Sequence, residues 1–352
     1  MRKISIIKSL FVILFLFTFQ GLRGQNGTSY KLEDSLKYSL LKNPFIQIES
    51  SEAIDAMYNF EFQKSISHFN YLQKQYPWHP LPHLLKSLNY WWRIVPDLDD
   101  TTWDEAFFAH IDSTKILAYA IQDFNEIEAS FFLAAAYAFE GRLYSDRRQY
   151  RKAAFASKNS LKYLGECRGH ETYSPELLFG DALFNYYAEW IRDEYPLLRP
   201  IMMLFPSGDK EKGINQLKET ARNAFYSRTE AQYYLMRILS SERKDRAESM
   251  QVGKYLHEQY PDNSFFHRYY ARLLYQSGKY GKAKELSLTI LQKIDSGKTG
   301  YGANSGRYAG FFLGHIYEMQ RDVEQSKKYY LLGMEYAEEI GAQEMGYYLY
   351  SL

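Results

Sequence analysis

The chain holds one cysteine, Cys167, among 352 residues, so no disulfide can form within it. An exported chain without disulfides fits a bacterial envelope better than a secretory route rich in them. Charge of one sign is also missing, since 43 basic residues face 42 acidic ones. That balance gives no electrostatic case for nucleic acid or for an anionic membrane surface. Beyond the N-terminus no apolar run approaches the length that spans a bilayer. Glycine (21) and proline (10) stand at ordinary levels. With 46% hydrophobic and 24% charged residues, the chain can bury a sizeable core and is not disordered by composition.

Familiar catalytic signatures are absent as well. There is no H-E-x-x-H, no G-x-S-x-G elbow, and no dinucleotide fingerprint after a strand. Cys167 in "GECRGH", with His170 three residues on, is the one conceivable thiol nucleophile, and it is expected in a loop after a helix. "DLDDTTWDE" (97–105) resembles a calcium loop but has Thr102 where the sixth-position glycine is needed. An N-cap at Thr101 or Thr102, with Asp104 and Glu105 in the first turn, accounts for it. "SGKTG" (296–300) follows a helix rather than a strand and reads as a connector. His79 and His83 in "HPLPH" are separated by prolines that prevent a regular metal-binding helix face. The expectation is therefore a protein that is not an enzyme, with no cofactor and no metal.

What the chain does have is aromatic residues, 17% of the total, with 33 tyrosines. Rings with a polar handle suit half-buried helix surfaces or groove walls. At the N-terminus, Arg2, Lys3 and Lys8 surround the start of an eleven-residue apolar run, Ser9 to Phe19, followed by Gly21 and Gly24. This reads as a signal peptide over 1–24, too short to span a membrane, and places the protein in the periplasm or outside the cell. Without Arg2, Lys3, Lys8 and Arg23, 39 basic residues remain against 42 acidic, a net charge of −3.

The organisation shows in a repeated phrase. "YLQKQYPWH" at 71–79 returns as "YLHEQYPDN" at 255–263, with Tyr, Leu, Gln, Tyr and Pro at the same spacing. After Pro261 come Ala271, Gly278, Tyr280, Ala283 and Ile290, and the next segment places Leu313, Gly314, Tyr317, Ser326, Tyr330 and Gly333 in a corresponding pattern. Ala134, Tyr137 and Gly141 give another such set, while Ser249 and Leu256, and Ser65, Phe69 and Leu72, occupy the second-helix slots. Small residues let two helices cross closely, and the proline ends the second helix. Both phrases are thus second-helix endings.

These spacings resemble the tetratricopeptide repeat, a helix–turn–helix unit of about 34 residues. The resemblance implies an all-α, right-handed superhelical solenoid of about six antiparallel pairs. A lead-in or capping helix over 25–49 would precede a repeat domain over 50–352, with irregular loops near 95–103 and 195–209. It also implies a concave groove lined by the first helices, which holds a peptide or partner protein. The groove-facing slots would hold Trp91, Trp92, Phe131, Tyr233, Arg237, Arg268, Arg272, Tyr275, Phe311 and His315. Packing between repeats is the plain alternative for each ring, and solvated surface for each arginine. A scaffold or assembly factor selecting an acidic partner is the leading expectation. A glycan- or peptide-binding module that stacks ligands on Trp91, Trp92 and Trp103 is the alternative. "YPLLRPIMMLFP" (195–206) is expected to pack against the solenoid flank, because a long apolar loop in water is a liability.

Overall fold

The computed structural model describes residues 38–199, 203, 205–241, 246–343 and 350–351. The expected signal peptide lies outside them. The described residues form fourteen α-helices, one short 3-10 turn (Pro196–Leu198) and no strand. In chain order the helices are α1 (Pro44–Tyr58), α2 (Phe62–Gln75), α3 (Leu81–Ile94), α4 (Asp104–Ile121), α5 (Glu126–Asp146), α6 (Tyr150–Cys167) and α7 (Leu177–Glu194). Then follow α8 (Lys210–Asn223), α9 (Arg228–Ser241), α10 (Arg246–Gln259), α11 (Ser264–Gln276), α12 (Tyr280–Asp295), α13 (Ala303–Met319) and α14 (Val323–Glu339). Every helix packs on the next, and α1 on α3, α3 on α5, α5 on α7 and α11 on α13. The arrangement is solenoid-like, with the odd-numbered helices in mutual contact. The described residues hold seven pairs, against about six expected, and the first begins at Pro44, inside the expected lead-in.

One turn recurs between the helices of a pair. Phe60, Arg148, Gly278 and Arg321 all have positive φ, between 57° and 70°, and each stands two residues before a second helix. The next residue's N–H returns five positions to a carbonyl each time: Glu61 to Ala56, Gln149 to Tyr144, Lys279 to Leu274 and Asp322 to Tyr317, at 2.8–3.0 Å. This is the left-handed helix cap that satisfies orphan end carbonyls. The two echoed phrases also behave alike. Tyr76 N–H donates to Leu72 O and Tyr260 N–H to Leu256 O as α2 and α10 end. His79 Nδ1 then accepts from Leu81 N, and Asn263 Oδ1 from Phe266 N, as α3 and α11 begin.

Helix crossings are closest where glycine stands. A Cβ on Gly310 would lie 2.6 Å from Gly333 Cα, and one on Gly213 would lie 2.7 Å from Ala182 O. The small positions Ser65, Ser249, Ala271 and Ala283 are all buried.

The array curls far enough for its start to meet its later half. Tyr58 OH donates to Glu230, Tyr260 OH to Asp55, Asp262 N–H to Asn59, and Asn304 Nδ2 to Asp97. Phe60 packs on the Gly300 backbone. A single core therefore joins Leu40 and Met57 with Trp92, Tyr233, Met236, Leu256 and Phe266. Within it Glu128 accepts four hydrogen bonds, from Leu41 N, His79 Nε2, Asn125 Nδ2 and Tyr173 OH, which pin the chain's entry to α5. Because His79 Nδ1 accepts a backbone N–H, its Nε2 carries the proton, and burial holds the imidazole neutral.

Several loops differ from expectation. Trp103, not Thr101 or Thr102, precedes α4, and Arg147 braces that turn with two bonds to Asp104, at 2.6 and 2.7 Å. α7 starts at Leu177, and Glu176 just before it accepts from the Phe225, Tyr226 and Ser227 N–H groups ahead of α9. The expected packing of 195–206 is not found among its described residues: Leu197 is 93% exposed, Met203 83% and Tyr195 51%. Cys167 ends α6 rather than sitting in a loop, and burial pushes its thiol up to about 12. That protonated thiol is a poor nucleophile.

Candidate functional site

The odd-numbered helices surround a cavity of about 480 Å³. Val95 and Leu98 close one side just beyond α3, and α5 contributes Arg142. Tyr186, Tyr187 and Trp190 of α7 form an aromatic wall. Tyr233 and Arg237 come from α9, one helical turn apart, and Phe265, Arg268, Tyr269 and Arg272 from α11. Arg307 and Tyr308 of α13 complete it. The i, i+4 spacing of Arg268 and Arg272 puts both on one face of α11.

Five arginines thus converge in a chain of near-zero net charge. Among the described residues only Arg142 has a carboxylate within ion-pair distance, Asp146 at 3.1 Å. The others lean on rings. Guanidinium carbons lie 5.3 Å from the Tyr233 ring for Arg237, 5.3 Å from Phe265 for Arg268, 5.9 Å from Tyr269 for Arg272 and 4.7 Å from Tyr308 for Arg307. Such contacts orient the fork but do not neutralise it. Arg237 also donates to Tyr233 OH at 2.8 Å, and Arg268 to Ser305 Oγ at 3.4 Å. The Nε groups of Arg272 and Arg307 are buried with no acceptor. Burial lowers Arg268 to about 10, against the pull of Tyr308 and with the push of Arg307 beside it. Among the described residues, four of the five cations thus stand at the cavity without a carboxylate in ion-pair distance.

Beneath this surface, α9 carries a buried acid. Glu230 Oε1 accepts from Trp92 Nε1 at 2.8 Å and from Tyr58 OH at 3.2 Å, whereas Oε2 has no partner. Burial raises its carboxyl to about 7, against the donors and the charge of Arg142. It joins the seam of α1, α3 and α9 rather than facing the cavity.

Of the groove residues expected from sequence, Tyr233, Arg237, Arg268 and Arg272 meet at the cavity. Trp91 and Trp92 do not: they are 2% and 0% exposed, on the core side of α3. Trp92 packs edge-on to Tyr58, Tyr233 and Phe266, and Trp91 against Phe107 and Phe139. For these two indoles the groove expectation gives way to the packing alternative, because each finds buried partners. Phe131 is half-buried against Phe132 and the same core, also away from the cavity. Tyr275, Phe311 and His315 form a separate cluster toward the C-terminus, where Tyr275 OH meets His315 Nδ1 at 2.8 Å and the Phe311 ring lies parallel to His315. Trp103, the third ring of the stacking alternative, is covered by the Arg93 guanidinium at 4.5 Å.

Sequence reasoning missed Arg142, Trp190, Tyr269, Arg307 and Tyr308. Arg307 had a signal, since it is the fifth residue of α13 as Arg268 is of α11. Among the described residues no helix is long and apolar enough to cross a membrane, and no three potential ligands of His, Cys, Asp or Glu gather for a metal. Neither protein-family models nor the curated proteins give a match to this chain.

Proposed function

We propose that this chain is an exported binding protein of the bacterial envelope, a tetratricopeptide-like superhelix that holds an acidic segment of a partner protein in its groove. The observation that carries this reading is the cavity shared by Arg237, Arg268, Arg272 and Arg307, which have no carboxylate partner among the described residues and are interleaved with Tyr233, Tyr269 and Tyr308. Arginine forks recognise carboxylates with direction, and aromatic walls supply desolvated contact area. The stacking alternative has less support, because Trp91 and Trp92 are in the core. Export rests on the N-terminal basic and apolar pattern.

Anisotropy titrations test the binding role with labelled peptides rich in Glu and Tyr, beside a neutral oligosaccharide. The acidic peptide should bind, and Arg268→Ala with Arg272→Ala should weaken it at least about tenfold. Raising the salt should weaken it as well. Peptide affinity unchanged by the double variant would remove the groove from the function. N-terminal sequencing of the protein from an envelope fraction tests export, with the mature chain expected to begin near residue 25.

A further inference from the structure

We infer that Arg268, Arg272 and Arg307 form a site for a tetrahedral, multiply charged oxyanion of the phosphate class. The inference rests on the groove being a ligand site and goes further, by naming the anion.

Shape decides between kinds of anion. A carboxylate is planar and carries one negative charge, so it can neutralise one guanidinium and leaves the charge of the others beside it uncompensated. Here two adjacent helices each bring arginine to one wall, and Arg268 and Arg307 approach the same Tyr308 ring, at 5.9 and 4.7 Å. Arginines of two different helices therefore meet around one ring. A tetrahedral oxyanion offers acceptor oxygens on several sides and close to two negative charges, so it can satisfy forks from both helices together. The Nε groups of Arg272 and Arg307 are further donors that find no acceptor among the described residues. Lowering of Arg268 agrees, because a dianion would restore what burial and Arg307 take away. Among the described residues, Asp97, which pulls Arg268 upward, already accepts from Asn304, and Asp146 is held by Arg142. Neither pairs with the three arginines among the described residues.

The oxyanion can come from a free molecule or from a phosphorylated side chain. About 480 Å³ accommodates a phosphoryl group with an attached ring against Tyr187 and Trp190.

Calorimetric titration of the chain with inorganic pyrophosphate tests this, at fixed ionic strength, with citrate as the carboxylate comparator. Pyrophosphate should bind at least about tenfold tighter than citrate and raise the melting temperature by about 5 °C near saturation. Arg268→Lys with Arg307→Lys keeps the charge and removes the forks, and should cut affinity at least about tenfold. Arg321→Lys, outside the cavity, should not. A phosphoserine peptide binding tighter than pyrophosphate assigns the source to a side chain, and the reverse order assigns it to a free molecule. Should the double variant fail to fold, phenylglyoxal labelling of the parent reads the same point. Pyrophosphate must then protect Arg268, Arg272 and Arg307, mapped by mass spectrometry. Citrate binding as tightly as pyrophosphate, or no protection, overturns the inference. Acidic peptides that still bind in that case would leave the scaffold reading standing.

Discussion

Asn263 Nδ2 donates to the carbonyl of Tyr58, 205 residues earlier, at 2.8 Å, in a buried position. The same side chain accepts from Phe266 N through Oδ1 and so caps α11. One amide thus starts the helix that carries Arg268 and Arg272 and ties it to the end of α1. The position of the cavity's main wall depends on a contact between the first helix and the eleventh.

Substitution separates those roles. Asn263→Asp keeps the cap acceptor and loses the seam donor, leaving the Tyr58 carbonyl unsatisfied, at a cost of about 1–3 kcal/mol. Asn263→Ala loses the cap as well and should cost about 1 kcal/mol more. Urea denaturation reads both, and an Asp variant as stable as the parent would mean the seam bond contributes nothing.

Glu230 gives the seam a pH dependence. Its carboxyl, raised to about 7 by burial, binds a proton in the folded protein at pH values where the unfolded chain has released it. Stability from this group is therefore fully present below about pH 4 and falls as pH rises to about 7, by about 3 kcal/mol in all. Glu230→Gln keeps an acceptor for Trp92 and Tyr58 but cannot ionise. The variant should match the parent at pH 5 and exceed it at pH 8. Equal stability curves for the two proteins between pH 5 and 8 would exclude a raised carboxyl.

Two glycines should respond to alanine with opposite signs. At Gly310 the added methyl meets the Gly333 backbone at 2.6 Å, so α13 and α14 must separate. A loss of at least about 2 kcal/mol is expected from such overpacking. Gly281, in the first turn of α12, has open space around it, and alanine there should stabilise by up to about 1 kcal/mol. A Gly310→Ala protein that melts with the parent would place the crossing elsewhere.

Helices and their pairing were legible because they rest on local chemistry. Small residues, prolines and the repeated "YL…QYP" phrase mark crossings and ends directly. The shared turn was visible only at Gly278, because Phe60, Arg148 and Arg321 adopt the same left-handed conformation without the residue that advertises it. In the site, Arg237, Arg268 and Arg272 followed from helical register. Trp91 and Trp92 were misplaced because register alone cannot tell a groove from a seam, and Tyr233 and Phe266, which help to cover Trp92, stand far along the chain. Arg142 joins from a helix three pairs before α11, and only the curl of the array brings it near.

The last prediction compares two arginines that look alike in sequence and differ in what surrounds them. Arg147 has both oxygens of Asp104, and the pair is mostly buried. Arg147→Met strands a carboxylate and frees the loop before α4, so stability should fall by about 2–4 kcal/mol. Arg268 and Arg307 both approach the Tyr308 ring, and among the described residues Arg268 has no carboxylate within ion-pair distance. Arg268→Met keeps the stem's packing on Phe265 and removes one of the crowded charges, so the unliganded protein should gain about 1 kcal/mol. That gain should shrink as added salt screens the remaining cations, and pyrophosphate binding should be lost with it. Opposite signs at 147 and 268, measured in one buffer by thermal denaturation, would mark the cavity as a place where stability has been given up for binding. A fall at both positions would show that Arg268 holds the fold together and is not poised for an anion.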